Sequence, residues 1–345
     1  MTEDSVHRAS NVLRSGFIGQ GQVVDAFEEE FGKLAPHPVV AMNSCTSSIH
    51  AVLTYLGVGP GDEVITTPLT CIATNAPILA VGARPVWADV DWTTGNINVY
   101  DVLSKITDRT KAIIAVNWTG RPADYQSLRE FGLPVIEDAA HGPIIGDRDH
   151  GDFICYSFGP IKHLTCGDGG AVSTADPTAR EALRLLRWYG LDRTSSKDFR
   201  CAQNITLPGM KFHMNDINAA IGLGNVHRLP EIVRQHKANA RLLHERLKYK
   251  WKLMPFSEES NYWVFPILTE NWAQREALKY HLETCGVMAS QVHARNDHHD
   301  AYRFPSGPLP GLQEFDECQL NIPCGWWLDE HDAEKIIDAM FSFNK

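Results

Sequence analysis

Three short stretches of the 345-residue chain bring together residue types that could do chemistry. One is Tyr156-Ser157-Phe158-Gly159-Pro160-Ile161-Lys162-His163-Leu164-Thr165-Cys166-Gly167-Asp168-Gly169-Gly170. A β-rich run ends there, Lys162 follows five residues after Ser157, and a glycine-rich turn leads into the next β-rich run. A lysine beside buried β structure is costly to keep charged unless it is paired or used. Its free amine is the nucleophile that Schiff-base chemistry needs. A surface-turn lysine among turn glycines is the plainer reading of the same text. A second stretch runs Pro134-Val135-Ile136 into Glu137-Asp138-Ala139-Ala140-His141. It is a strand end bearing two acids, where Asp138 serves either a site or the cap of the following helix. The third, Asn43-Ser44-Cys45-Thr46-Ser47-Ser48, follows a β-rich run and opens the helix carrying Ile49. Small polar residues at a helix start leave backbone N–H groups free for phosphate, and equally make an ordinary N-cap.

Together the three supply a phosphate cradle, an acid able to pair with a pyridinium nitrogen, and a lysine. These are the three anchors that pyridoxal phosphate needs.

The elements that must position them follow from the pattern between residue 38 and about residue 175. β-rich runs occur at Pro38-Met42, Glu63-Thr66, Pro85-Ala88, Lys111-Asn117, Pro134-Glu137, Asp152-Phe158 and Gly170-Ser173. Between several of them lie helical patterns. Ile49, Val52, Leu53 and Leu56 share one helical face, and Thr70 to Val81 and Ala123 to Phe131 also read as helices. Such alternation implies an α/β sheet with many parallel strands and helices on both faces. Its sites lie at the carboxyl ends of the strands. Near Pro230 the texture changes. A long helical pattern runs to Leu247, with proline in its first turn. Beyond it, strands are expected at Tyr262-Leu268, Ala289-His293 and Cys318-Ile322, and helices at Gln274-Thr284 and Asp329-Phe341. We therefore divide the chain into a large domain, 1–229, and a smaller C-terminal α+β domain, 230–345.

Composition excludes several classes. The net charge of -10, without basic runs, disfavours nucleic acid as a partner. The start, Met1-Thr2-Glu3-Asp4, is not a secretory signal, and no apolar run reaches the roughly 18 residues of a membrane span. The eight cysteines are scattered with no CxxC pair, which suits reduced thiols and a cytoplasmic location. His298-His299-Asp300 could form a metal patch but reads better as a solvated loop, so no metal is expected.

The chain resembles the DegT/DnrJ/EryC1/StrS family of sugar aminotransferases, of the aspartate-aminotransferase fold type (fold type I), over nearly its whole length. The resemblance is carried by Ser15-Gly16-Phe17-Ile18-Gly19-Gln20-Gly21, the block from Gly57 to Pro68, Val135 to His141, Ser157 to Gly170, and Met214 to Gly222. It implies a ping-pong transamination in which pyridoxal phosphate passes through pyridoxamine phosphate. The amino group would move from an amino acid, usually glutamate, to a keto sugar, nucleotide-linked. By position, Lys162 looks like the lysine that holds the cofactor and moves the proton, and Asp138 like the partner of the pyridine nitrogen. His141 falls near the phenolic oxygen, Cys45 and Thr46 on the phosphate loop, and Ser157 at its side-chain donor. The resemblance also implies a homodimer with shared sites, in which a neighbour's residue reaches the phosphate. That residue is usually Asn; here the position holds Lys211, which can meet phosphate as a point charge. The aromatic residue that usually stacks on the cofactor aligns with Cys71, and Trp118 could compensate. His293 and Arg295, at an expected strand end, are the candidate substrate contacts. A deoxysugar dehydratase, or a regulatory protein that binds the cofactor without catalysis, remains as a rival.

Overall fold

The computed structural model describes residues 1–143, 146, 149–195, 198 and 200–344. Seven strands form the larger sheet: β1 (Val39–Met42), β2 (Glu63–Thr66), β3 (Arg84–Trp87), β4 (Thr110–Val116), β5 (Val135–Asp138), β6 (Phe153–Ser157) and β7 (Gly170–Ser173). Their order is β1-β7-β6-β5-β4-β2-β3. β3, β2, β4, β5 and β6 run parallel, and β7 is antiparallel to both of its neighbours. Each of the seven expected runs is a strand, with no end shifted by more than one residue.

The helices are α1 (Glu3–Ser15), α2 (Gln22–Gly32), α3 (Cys45–Tyr55), α4 (Ile72–Ala80), α5 (Val99–Ser104), α6 (Tyr125–Arg129), α7 (Pro177–Leu186), α8 (Asp216–Val226), α9 (Leu229–Leu247), α10 (Trp272–Thr284), α11 (Pro310–Cys318) and α12 (Glu330–Ser342). They cover both faces of the sheet, and the period-2 pleat sorts the strand residues between them. Val40, Phe153, Cys155 and Val172 face a core filled by Ile49, Val52 and Leu53 of α3. Val39, Ile154, Tyr156 and Ala171 face the other, filled by Phe27 and Phe31 of α2 and by α8. Strands buried on both faces read as nearly continuous apolar runs, as these do.

Beyond α9, β8 (Lys252–Leu253), β9 (Phe265–Leu268) and β10 (Gln319–Ile322) form an antiparallel sheet in the order β10-β9-β8. Its apolar cluster includes Phe265, Leu278, Leu320 and Ile337. Helix α9 serves both cores: Leu229 and Val233 pack with the first sheet, Ala240, Leu243 and Leu247 with the second. One expected strand is not there. Within Ala289–His293 only Ser290 pairs, in an isolated bridge to Asn321. The chain then turns, because Ser290 Oγ accepts the Val292 N–H and Val292 takes a left-handed φ of 71°.

Candidate active site

The site grows from the carboxyl ends of the parallel strands and the turn into β7. Met42 of β1 and Ser157 of β6 flank the same residue, Gly170 of β7, in the two ladders. The start of α3 and Ser157 therefore lie two strands apart, about 10 Å. A side chain on Gly170 would put its Cβ 2.3 Å from the Ser44 carbonyl carbon and 2.5 Å from Cys45 N, so only glycine lets α3 start this close to the sheet. Ser44 caps α3, its Oγ accepting the Ser47 N–H and its carbonyl the Ser48 N–H. The first N–H groups of the helix, those of Cys45 and Thr46, are left for an anion.

The two acids of β5 part company as the pleat requires. Glu137 accepts from Asn117 Nδ2 (2.7 Å) and from the Gly151 N–H (3.1 Å), and so braces neighbouring loops. Asp138 points to the site. It is 3% exposed and accepts hydrogen bonds from Thr74 Oγ (2.7 Å) and Ala140 N–H (3.0 Å). Cys45 Sγ lies 3.8 Å from Oδ1, the oxygen that also takes the Ala140 N–H. Burial, then the Asp138 charge, push the Cys45 thiol well above its usual range. Among the described residues Asp138 makes no salt bridge, and the charge that acts on it is the Lys162 amine, beyond ion-pair distance.

Lys162 is half-buried in the turn after β6. Burial lowers its amine below the ordinary lysine range, and the Asp138 carboxylate opposes that shift. Its Nζ lies 4.0 Å over the ring of Trp263. The Trp263 indole stacks on His141 at 4.0 Å between centroids and 18° between planes. His293 lies parallel to His141 at 5.7 Å, with Trp118 edge-on to both. Burial and the Lys162 charge push His141 well below the ordinary imidazole range and His293 to about 4. Both rings are thus neutral near pH 7. His141 Nδ1 and His293 Nε2 have no partner among the described residues.

The structure thus brings Cys45, Cys71, Asp138, His141, Lys162 and His293 together, with Ser157 and Thr46 at the same sheet edge. Trp118 is fully buried and touches the two histidines. Lys211 stands apart from Lys162. Its side chain is exposed, and its carbonyl accepts from Asn43 Nδ2 beside the start of α3. Arg295 is buried and already engaged, bidentate to Asp297 and through NH1 to Gln313 (2.8 Å), which leaves two of its five donors. The neighbouring Asn296 pins its loop to the start of α4 through Asn75 (2.8 Å) and the Thr70 carbonyl (2.8 Å).

Sequence reasoning missed Trp263. It stood inside a run read only as a strand, and the left-handed Tyr262 before it, with φ 46°, had no local signature. Three non-glycine residues with left-handed backbone, Thr119, Tyr262 and Val292, lie in the loops around the site, where strain commonly gathers.

The fold matches solved aminotransferases over nearly the whole chain. The sugar aminotransferase CalS13 from Micromonospora echinospora is 34% identical, over 99% of this chain and 97% of its own, with a TM-score of 0.92. AtS13 from Actinomadura melliaura is 35% identical over 99% and 96%, with a TM-score of 0.92. The aminotransferase TlmJ from Streptoalloteichus hindustanus is 29% identical over 98% and 95%, with a TM-score of 0.89. The class is therefore that of pyridoxal-phosphate-dependent transferases. Within it, residues 1–341 match the DegT/DnrJ/EryC1/StrS aminotransferase family, to which this chain belongs.

The residues present fit the family's cofactor. The free N–H groups at the start of α3 suit its phosphate, and the buried carboxylate of Asp138, which has no salt bridge, suits a protonated pyridine nitrogen. The unpartnered His141 Nδ1 suits a polar group of the ring.

Proposed function

We propose that this enzyme moves an amino group from glutamate to a keto sugar carried on a nucleotide, in two half-reactions at one site. The observation that supports this most is the presence of a buried Asp138 without a salt bridge and a desolvated Lys162 amine at the end of the sheet that also holds the start of α3. When bound, pyridoxal phosphate supplies an electron sink for carbanion chemistry.

The chain's own residues do the rest. Lys162 holds the cofactor through its Nζ, which burial biases toward the neutral, nucleophilic form, and once released Nζ carries a proton to and from the reacting carbon. Asp138, kept as an acceptor by Thr74 and Ala140, holds the proton on the ring nitrogen. Cys45, Thr46 and Ser157 bind the phosphate, and Cys71 packs on the ring in place of an aromatic. His141 orients the ring through its side chain, held against Trp263. His293 and the remaining donors of Arg295 meet the acceptor sugar. We assign residues 1–229 to the cofactor and 230–345 to the smaller domain that closes the site. The working form is a cytoplasmic homodimer in which Lys211 of one chain reaches the phosphate held by the other. Its exposed side chain leaves it available for that contact.

The test is a half-reaction. Protein loaded with pyridoxamine phosphate is mixed with keto sugars, free and nucleotide-linked, and the visible absorption of the aldehyde form is followed. Its return with a nucleotide-linked keto sugar supports the reading. Release of a dehydrated sugar, or no return with any keto sugar, overturns it.

A further inference from the structure

The side chain that receives the free Lys162 amine comes from the second half of the chain. We propose that Trp263 is a positioning residue for Lys162: its indole face holds the ammonium group whenever the amine is not joined to the cofactor. The proposal rests on the reading of Lys162 given above.

Among the described residues no carboxylate or hydrogen-bond acceptor is within reach of Lys162 Nζ; its close partner is the ring of Trp263, 4.0 Å away. Tryptophan is the best of the aromatic faces for a cation, and the attraction grows when water is excluded. The ring is fixed for this task. Its Nε1–H donates to the Ile161 carbonyl (2.9 Å), the residue before Lys162. Its backbone N–H donates to the Thr119 carbonyl (2.8 Å), and its ring stacks on His141. On the other side of the lysine, His163 Nε2 meets the Asn261 carbonyl (3.0 Å). Residues 161, 162 and 163 are thus each tied to the segment 261–263. The lysine backbone is held still while only its side chain swings between the cofactor and the indole.

The groups facing Nζ from the surrounding elements are Asp138 from β5, Cys45 from α3, Cys71 before α4, and the imidazoles of His141, His163 and His293. Replacing Trp263 removes none of these groups, though it uncovers the face of His141 on which the indole stacks. The sign of the effect is therefore diagnostic. Losing a ring that favours the charged form lowers the pH at which Lys162 gives up its proton. A purely structural role would loosen the site, admit water and raise that pH toward the ordinary lysine value.

The experiment uses cofactor-free protein. A small amine-acylating reagent is applied across a pH series, and the extent of modification at Lys162 is read by peptide mass mapping. Trp263→Leu should lower the midpoint by about one pH unit, a tenfold change in the proton affinity of the amine. Trp263→Phe, which keeps a weaker ring, should lower it by less. It also decides the matter if the leucine variant does not fold. An unchanged or raised midpoint in either folded variant overturns the proposal. Reducing the loaded wild-type enzyme and mapping the modified lysine tests the reading of Lys162 separately, so the two can fail independently.

Discussion

Replacing Asp138 by Asn separates an electrostatic role from a structural one. The carboxylate accepts from Thr74 Oγ at 2.7 Å and from Ala140 N–H at 3.0 Å. Asparagine can keep both bonds. Its Oδ1 accepts from Ala140, its Nδ2 donates to Thr74 Oγ, and the Thr74 hydroxyl turns toward Thr70 Oγ at 2.7 Å. The cofactor-free protein should therefore lose no more than about 1 kcal/mol, a shift of roughly 2 °C in Tm for a chain of this size. The loaded enzyme loses the charge that faces the pyridine nitrogen. Removing one member of a buried charge pair typically costs about 3 kcal/mol or more, a hundredfold or more in rate. The assay is single-turnover transfer from glutamate, with thermal unfolding of the cofactor-free protein beside it. A variant within tenfold of wild type in transfer would refute the electrostatic role. Collapse of stability together with activity would refute the separation and make Asp138 a brace of the turn after β5.

Three further perturbations test other parts of the site. Gly170→Ala forces the Ser44–Cys45 backbone away from the sheet, since the new Cβ would lie 2.3 Å from Ser44. It should destabilise by about 3 kcal/mol and weaken cofactor binding, read by equilibrium dialysis; wild-type affinity would mean that α3 does not hold the phosphate. Arg295→Ala strands the side chain of Asp297 in a largely buried pair. It should cost about 3 kcal/mol and raise KM for the acceptor more than for the donor, and an equal rise for both argues against a sugar contact. Burial lowers His236 from its ordinary 6.5 to about 4, so the folded chain refuses a proton that the unfolded chain accepts. Its contribution to stability is full above pH about 6.5 and is lost as the pH falls toward about 4, roughly 3 kcal/mol in all. His236→Gln should flatten the fall in urea midpoint across that window by about this amount, and an unaltered slope would place the loss elsewhere.

The first sheet was legible because its strands are buried on both faces and separated by turn residues, so apolar runs such as Lys111–Asn117 stand out. Asp138 and Lys162 were legible because strand ends and glycine turns have a local signature. What stayed hidden depends on contacts between distant residues. Trp263 reaches Lys162 only because Asn261 N–H and Trp263 N–H bond the carbonyls of Gly120 and Thr119. Gly120 makes that approach possible: its φ is 97°, and a Cβ there would lie 2.9 Å from Tyr262 N. The buried pair His163 and His236, with ring centroids 4.4 Å apart, is equally invisible in single-sequence text. Ala289–His293 reads as a strand by composition, yet the Ser290 turn and the ties of Asn296 to α4 bend it toward the site. Helix α8 is buried on nearly all sides and rich in small residues, so it shows no apolar stripe to read.

The most direct measurement concerns Lys162 itself. The loaded enzyme is treated with borohydride, which fixes the cofactor to whichever amine holds it, and the modified peptide is found by mass spectrometry. The label is expected on Lys162, with Lys162→Ala showing neither the label nor the visible absorption of the lysine-bound cofactor. A label on another lysine, or a Lys162→Ala enzyme that keeps both absorption and turnover, would contradict it.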